Sequence, residues 1–220
     1  KLLDRPMFVH FDMSLTGDKT GIAGNIILGK KPHQEGVPEN KELYYQTIFS
    51  VSIKAPKGHQ VSFEKNRNFV RWLKQQGYAI KGLSGDTFQS ADFFQQMSAE
   101  GYNCEVISVD RTKDNVCEPY LVFKNAIYEE RIKMYYSPLL TEEIVSLERD
   151  SNGKIDHPPH GSKDAADAVC GSLYNASKHA EEFAFYYGED IQNIIDVSKE
   201  NTEIQMKKQI EINMQDELNK

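Results

Sequence analysis

This sequence lacks several features that would indicate other classes of protein. Its 220 residues contain no apolar run near the roughly 18 residues that span a membrane. There is no GxxxxGK(S/T) phosphate loop, so the sequence does not indicate an ATPase, and there is neither a GxSxG motif nor a Cys/His nucleophile pair. The three cysteines are odd in number and show no CxxC spacing, which favours buried free thiols in a reducing compartment.

Basic residues are fewer than acidic ones, and the excess of acidic residues is concentrated near the end of the sequence. The formal net charge is −7, and residues 178–220 contain 5 basic and 10 acidic residues against 21 and 23 in the rest. A nearly neutral body can still present a basic surface to phosphate. Charge therefore neither supports nor excludes a nucleic-acid partner.

The order of apolar runs predicts an α/β domain whose sheet is mixed. Three β-prone runs come first without an intervening helix, which predicts antiparallel strands at 7–12, 20–28 and 43–53. Helices and strands then alternate, which predicts parallel strands joined by crossover helices. These later elements are helices at 62–76 and 90–100, strands at 78–83 and 102–109, a helix at 115–131 broken at Pro119, a short strand at 132–136, a helix at 139–149 and a small hairpin around 152–153.

The chain is expected to divide into a body at 1–178 and a peripheral tail at 179–220. The tail is polar and helical in propensity, with little glycine or proline. Helices should flank the sheet of the body, and the tail should form a helical appendage.

Acidic residues stand out at the start of the last helix of the body, in the stretch GSKDAADAVCGSLYNA at 161–176. Ser162 is expected to cap this helix, and Asp164 and Asp167 lie on one face of its first turn. One acid there is ordinary, because the helix dipole favours carboxylates at an N-terminus. Two acids suggest a cation against them.

Two further aspartates end predicted strands. Asp12 ends the first strand and Asp86 follows the fourth, so neighbouring strands would bring them out side by side. Each acid taken singly is an ordinary turn or helix-end residue. Together they make most sense around hard divalent ions with oxygen ligands, such as Mg²⁺ or Mn²⁺. Two such ions about 4 Å apart can promote phosphodiester hydrolysis.

Three more residues are candidates for a supporting role near these acids. Asp18 is close to Asp12 in sequence. His157 precedes a proline pair, which favours a surface loop, with contact to phosphate or water as the alternative. Lys163 adjoins the acids and could balance their charge or contact the scissile strand.

The segments VHFDMSLTGDKTGIA, LSGDTFQSADF and IDHPPHGSKDAADAVCGSL resemble the nuclease domain of tailed-bacteriophage terminase large subunits, over residues 7–176. The KDxxDA end with its preceding HP is the most specific part. The resemblance implies a ribonuclease H-like fold and an endonuclease that cuts concatemeric viral DNA into genome units. It also implies that Asp12, Asp86 and the Asp164/Asp167 pair bind two Mg²⁺ or Mn²⁺ ions; because that last position varies in the family, both members stay as candidates.

The resemblance also implies a setting, namely double-stranded DNA as substrate and the cytoplasm of an infected bacterial host. The expected partners are an N-terminal packaging ATPase, the portal and the small terminase subunit, with no membrane. Nothing in the sequence resembles the ATPase, so we expect a C-terminal domain of a longer protein. The alternatives are another ribonuclease H-like nuclease, such as a junction resolvase or transposase core, and a non-catalytic portal-docking module.

Overall fold

The computed structural model describes residues 2–13, 19–30, 43–55, 59, 61–110, 112–113 and 116–183. The strands in this part of the chain are β1 Pro6–Asp12, β2 Lys19–Lys30, β3 Leu43–Lys54, β4 Ala79–Gly85, β5 Cys104–Val106, β6 Thr112–Lys113, β7 Val116–Cys117, β8 Ile132–Lys133, β9 Glu148–Arg149 and β10 Ile155–Asp156. The helices are α1 Phe63–Gln75, α2 Thr87–Ala99, α3 Glu118–Tyr128, α4 Pro138–Ser146, α5 Asp164–Lys178 and α6 Ala180–Phe183.

Six strands form one mixed sheet in the order β5-β4-β1-β2-β3-β8. The pairs β1–β2 and β2–β3 are antiparallel, whereas β4 pairs with β1 and β5 in parallel. The predicted antiparallel opening and the later parallel strands are confirmed. The central position of β1, between β2 and β4, decides where Asp12 emerges.

Strand β1 is buried on both faces, as its apolar run predicts. Phe8 belongs to a hydrophobic cluster that includes α3 and α5, whereas Met7, Val9 and Phe11 belong to a second cluster with α1 and α2. Because side chains alternate along a strand, the even-numbered residues of β1 face α5. The helices therefore cover both faces of the sheet, and Asp12 lies on the α5 side.

Helix ends follow their sequence signals in α1. Ser62 is the N-cap residue, and its hydroxyl accepts a hydrogen bond from the Lys65 amide at 3.3 Å. Gly77 follows the helix with a φ of 92°, a conformation that glycine adopts without strain. The predicted boundaries of this helix are confirmed within a residue or two.

Several predicted boundaries after residue 100 are wrong. Pro119 stands in the first turn of α3 rather than breaking a longer helix, since proline needs no amide partner there. The preceding residues instead pair as the small hairpin β6–β7. Strand β5 is shorter than predicted, and α4 ends at Ser146 because Glu148–Arg149 pairs with Ile155–Asp156 in the predicted small hairpin.

Most of the predicted tail at 179–220 lies outside the described residues. Its first turns pack on the body, because His179 stacks on Phe8 with ring centroids 5.4 Å apart and Phe183 meets the same ring edge-on at 6.0 Å. None of the helices in the described ranges has the length and apolar character needed to cross a bilayer.

Candidate metal centre

Asp12 and Asp86 follow neighbouring strands at one edge of the sheet. Strands β1 and β4 run parallel with Phe11 opposite Gly85, so the next residue of each strand is an aspartate. Ligands of α/β sheets bind at such carboxyl ends. The prediction that these two strand ends are neighbours is confirmed.

The start of α5 lies directly against β2 beside Asp12. Gly21 is the residue of β2 opposite Asp12, and a Cβ added to it would lie 1.8 Å from the Asp164 carbonyl oxygen. Only a residue without a side chain permits this approach of helix backbone to strand. Gly21 therefore sets how closely the first turn of α5 approaches Asp12.

The carboxyl group of Asp12 is in an unfavourable electrostatic environment. Burial, together with the nearby carboxylates of Asp167, Asp164 and Asp110, raises the pKa of Asp12 from 3.8 to about 8, although Lys163 opposes the rise. Acids repel when they meet without enough positive charge. The first turn of α5 and the end of β1 thus share one acidic cluster.

The two aspartates of α5 have different surroundings. Asp167 is 5% exposed and accepts a hydrogen bond from the Tyr120 hydroxyl. Burial raises its pKa to about 6, with Lys163 opposing the rise. Asp164 is half-buried, and its Oδ2 contacts the Ser162 hydroxyl.

The prediction that Ser162 caps α5 is wrong. The N-cap residue is Lys163, and its side chain makes no capping hydrogen bond. The Ser162 hydroxyl is instead held between two carboxylates, those of Asp164 and Glu143. This end of the helix is stabilised from another element, α4.

Lys163 balances part of the acidic cluster. Its ammonium group contacts Asp110, lies 3.2 Å from Asp167 Oδ2, and donates to the Ile155 carbonyl at 3.3 Å. Burial disfavours the charged form of Lys163, but the neighbouring Asp167 and Asp110 outweigh burial and raise its pKa. Lys163 therefore forms ion pairs with two of these acids, and its contact with a scissile strand stays a prediction.

Asp86 follows the neighbouring strand β4, and its side chain is exposed. Its Oδ2 accepts a hydrogen bond from the Ser108 hydroxyl at 2.8 Å. The buried His10 ring approaches the same region, with its Nδ1 3.0 Å from the Ser84 hydroxyl. Burial lowers the pKa of His10 to about 3, with Asp86 opposing the fall, so the imidazole is neutral at physiological pH.

Two further residues were predicted to support the site, Asp18 and His157. Asp18 falls outside the described residues. His157 makes its contacts within its own loop, where Nδ1 donates to the Pro158 carbonyl at 2.7 Å and Nε2 lies 4.0 Å from Asp156. The described contacts of His157 therefore fit the surface-loop interpretation.

Three residues of this region were not among the sequence candidates. Asp110 follows the segment predicted as the fifth strand, so its signal was an acid at a strand end, the same signal that marked Asp12. Glu143 interrupts the apolar side of α4 beside the buried Leu140. Tyr120 gave no signal, since its contact with Asp167 joins residues 47 positions apart.

The donor set suits a hard cation, although the side chains do not form a ready cage. Asp12, Asp86, Asp110, Asp164 and Asp167 offer only carboxylate oxygens, the ligands that Mg²⁺ and Mn²⁺ prefer. Within the described ranges, however, no three His, Cys, Asp or Glu side chains are arranged to hold a metal ion. Several of the carboxylates instead contact protein donors, namely Ser108, Ser162, Tyr120 and Lys163.

The six-stranded mixed sheet with its flanking helices is consistent with a ribonuclease H-like fold, as predicted. No protein-family model and no curated protein sequence matches the chain.

Solved structures of terminase nucleases do match the chain. The large terminase of bacteriophage HK97 matches with a TM-score of 0.57 and 12% identity, over 80% of this chain and 40% of that one. The large terminase nuclease domain of Thermus phage P74-26 gives 0.56 and 11%, over 80% and 81% of the two chains. The large terminase nuclease of thermophilic phage G20c with bound magnesium gives 0.53 and 9%, over 78% and 82%.

Because these sequence identities are low, the structural similarity establishes the fold alone. The chain has the fold of the terminase large-subunit nuclease domain. It spans 40% of the length of the HK97 large terminase and most of the length of the isolated nuclease domains.

Proposed function

We propose that this chain is a metal-dependent DNA endonuclease that cuts concatemeric viral DNA during genome packaging. The observation that carries the proposal is the convergence of Asp164 and Asp167 on Asp12 at the end of the central strand, with Asp86 beside it. The fold, shared with terminase nucleases, supports the same conclusion. Carboxylates gathered in this way can hold the two metal ions that promote phosphodiester hydrolysis.

Asp12, Asp86 and the Asp164/Asp167 pair would hold two divalent ions, Mg²⁺ or Mn²⁺. The oxygen-only donor set fits such ions. Burial raises the pKa of Asp12, and the carboxylates of Asp167, Asp164 and Asp110 add to the rise, so a bound cation would favour the charged form of Asp12. The G20c nuclease was solved with bound magnesium and with bound cobalt, which supports divalent metal use on this fold. Because Ser108 contacts Asp86, and Tyr120 and Lys163 contact Asp167, loading would involve rotation of these two carboxylates.

Bound divalent ions would supply an activated water and stabilise the leaving oxygen. The carboxylates of Asp12, Asp86, Asp164 and Asp167 would hold those ions. Lys163 would hold Asp167 and Asp110 in place and keep a fixed positive charge beside them. The neutral His10 lies two residues before Asp12 on the same face of β1 and is fully buried.

A second feature of the same edge suits the DNA backbone. Lys19 and Lys54 are directly opposite one another on β2 and β3, two residues beyond the Asp12–Gly21 pair. Side-chain alternation places both on the α5 face, which is also the face of Asp12. Like charges directly opposite on neighbouring strands are unfavourable, and a phosphate between them would remove that cost. Contacts of this kind grip DNA without reading its sequence.

The wider setting is part of the same proposal. An N-terminal packaging ATPase would precede this domain in the full protein, and the portal and the small terminase subunit would be its partners in the infected host cytoplasm. The 40% share of the HK97 large terminase that this chain spans supports the idea of a longer protein.

A plasmid-cleavage assay tests the proposal. Supercoiled DNA is incubated with the protein in Mg²⁺, Mn²⁺, Ca²⁺ or EDTA, beside the variant Asp12→Asn and the control Asp92→Asn. Asp92 is a matched aspartate on α2, on the other side of the sheet, paired with Arg67. We expect cleavage in Mg²⁺ or Mn²⁺ that is lost in EDTA and in Asp12→Asn but kept in Asp92→Asn. Full cleavage by folded Asp12→Asn would exclude the assigned site.

A further inference from the structure

Helix α5 begins without a cap from its own sequence. The first four amides of a helix have no partner inside it, and the N-cap side chain usually satisfies the second or third. Lys163 occupies the N-cap position of α5, and its side chain contacts acids instead of these amides. The missing acceptor therefore has to come from elsewhere.

Glu143 of α4 provides that acceptor. Its Oε2 accepts hydrogen bonds from the amides of Ala165 and Ala166, both at 2.9 Å. These are the second and third residues of α5, the positions that an N-cap side chain normally serves. The carboxylate also meets the positive end of the helix dipole.

The position of Glu143 is fixed by packing. It is 3% exposed, and Leu140, one turn earlier on α4, is equally buried in the cluster shared with α5. Ser137 caps the start of α4, where its hydroxyl accepts from the Leu140 amide at 3.4 Å. A charged group this deeply buried is costly unless its oxygens are hydrogen-bonded, and here both oxygens are.

The second oxygen of Glu143 connects to Asp164. Glu143 Oε1 lies 2.9 Å from the Ser162 hydroxyl, which also contacts Asp164 Oδ2. The hydroxyl carries one proton, so it donates to one carboxylate at a time. Glu143 is thereby linked directly to the backbone of the first turn of α5, and to the Asp164 side chain through a shared hydroxyl.

We propose that Glu143 is a positioning residue for the metal centre, acting through the amides of Ala165 and Ala166 and through Ser162. The inference rests on the proposed function, because it gives Glu143 a role toward the ions that Asp12 and the α5 acids would hold. Glu143 itself does not touch the ions. It holds the first turn of α5 at Gly21 and keeps the Asp164 carboxylate turned toward the cluster.

A purely structural cap would stabilise α5 without affecting metal affinity. The two roles are separated by measuring Mn²⁺ binding calorimetrically at a temperature where every variant is folded, beside thermal melting without metal. The variants are Glu143→Ala, Glu143→Gln and Ser162→Ala. Glu142→Gln is the matched control, since Glu142 is the exposed neighbour on the same helix.

The positioning role predicts graded losses of Mn²⁺ affinity. Groups that hold metal ligands in place typically contribute about 10- to 100-fold, so we expect roughly a 10-fold loss or more in Glu143→Ala. Glu143→Gln keeps an acceptor of the same shape and should recover part of the affinity. Ser162→Ala cuts only the link to Asp164, so it should weaken Mn²⁺ binding while the melting temperature stays near the parent value. Glu142→Gln should match the parent in both measurements.

Two results overturn the inference, and they differ in meaning. If Glu143→Gln and Ser162→Ala bind Mn²⁺ as tightly as the parent, Glu143 is only a helix cap and the proposed function is untouched. If the parent itself neither binds Mn²⁺ nor cleaves DNA, the proposed function fails and the inference fails with it. Should Glu143→Ala not fold, the other two variants still decide the question.

Discussion

Replacing Gly21 with alanine should displace the first turn of α5 from the acidic cluster. The added Cβ would lie 1.8 Å from the Asp164 carbonyl oxygen and 2.5 Å from its carbon, whereas real Cβ contacts essentially never fall below 3.0 Å. Going from 1.8 to 3.0 Å requires a displacement of about 1.2 Å. Strand β2 is hydrogen-bonded on both sides, to β1 and β3, so the helix start is the part that moves.

The expected cost has two components. Overpacking of this kind typically destabilises a protein by about 1–3 kcal/mol. A displacement of about 1 Å in an active site can lower the rate about 100-fold. We therefore expect Gly21→Ala to remain folded, with a lower melting temperature and a metal-dependent cleavage rate about 100-fold below the parent.

Gly24→Ala is the control on the same strand. Its added Cβ would meet the Phe49 ring at 2.5 Å, in the cluster on the other side of the sheet. A ring can rotate away, and α5 is not involved, so this variant should lose some stability but keep its cleavage rate per folded molecule. Parent-like stability and cleavage in Gly21→Ala would refute the idea that this close approach positions the helix.

Five other substitutions probe the charges of the site. Asp12→Asn should abolish cleavage yet raise the melting temperature of the metal-free protein at pH 9. The pKa of Asp12 is raised to about 8, so its negative charge opposes folding at that pH. An unchanged or lower melting temperature would contradict this. Lys163→Met should destabilise the metal-free protein by about 3–5 kcal/mol in urea unfolding, because it leaves the buried Asp167 without its cationic partner. Mg²⁺ should recover part of this loss. A loss below about 1 kcal/mol would argue against a buried counter-ion. Lys19→Ala and Lys54→Ala are tested in the Asp12→Asn background, where DNA is bound without being cut. Each should reduce the slope of DNA affinity against salt concentration by about one phosphate contact, whereas Lys81→Ala on β4 should not. Equal slopes in all three variants would exclude Lys19 and Lys54 from the DNA-binding surface. His10 has a pKa of about 3 in the folded protein against 6.5 ordinarily, so its contribution to the unfolding free energy is complete above pH 6.5 and should fall by about 2 kcal/mol at pH 5. In urea titrations, His10→Gln should therefore lose less unfolding free energy than the parent between about pH 7.5 and pH 5. An identical loss would contradict a neutral, buried His10.

The sheet could be predicted because its strands carry local signals. Strands β1, β2 and β3 are long apolar or β-prone runs separated by turn residues. The same pattern predicts the end of β1 at Asp12 and the end of β4 within two residues of Gly85. The short elements could not be predicted in this way. Hairpin β6–β7 consists of two-residue strands whose pairing depends on neighbouring elements, and Pro119 can begin a helix as well as break one.

The acids of the site could be proposed from sequence, but their partners could not. Lys163 was placed near the acids by its adjacency to Asp164, whereas its contact with Asp110 joins residues 53 positions apart. Ser162 has a typical capping residue type, yet Glu143 from α4 takes the capping role because packing of Leu140 brings it to the helix start. Contacts of this kind are set by how helices pack on the sheet, which a single sequence does not specify.

The most direct test of the proposed metal centre is an anomalous-scattering experiment on crystals of this protein grown with Mn²⁺. We predict manganese peaks bound by Asp12, with Asp86 and at least one of Asp164 and Asp167 completing the ligands. Manganese bound elsewhere only, with Lys163 still seated between Asp110 and Asp167, would contradict the claim that these strand-end acids form the catalytic metal centre.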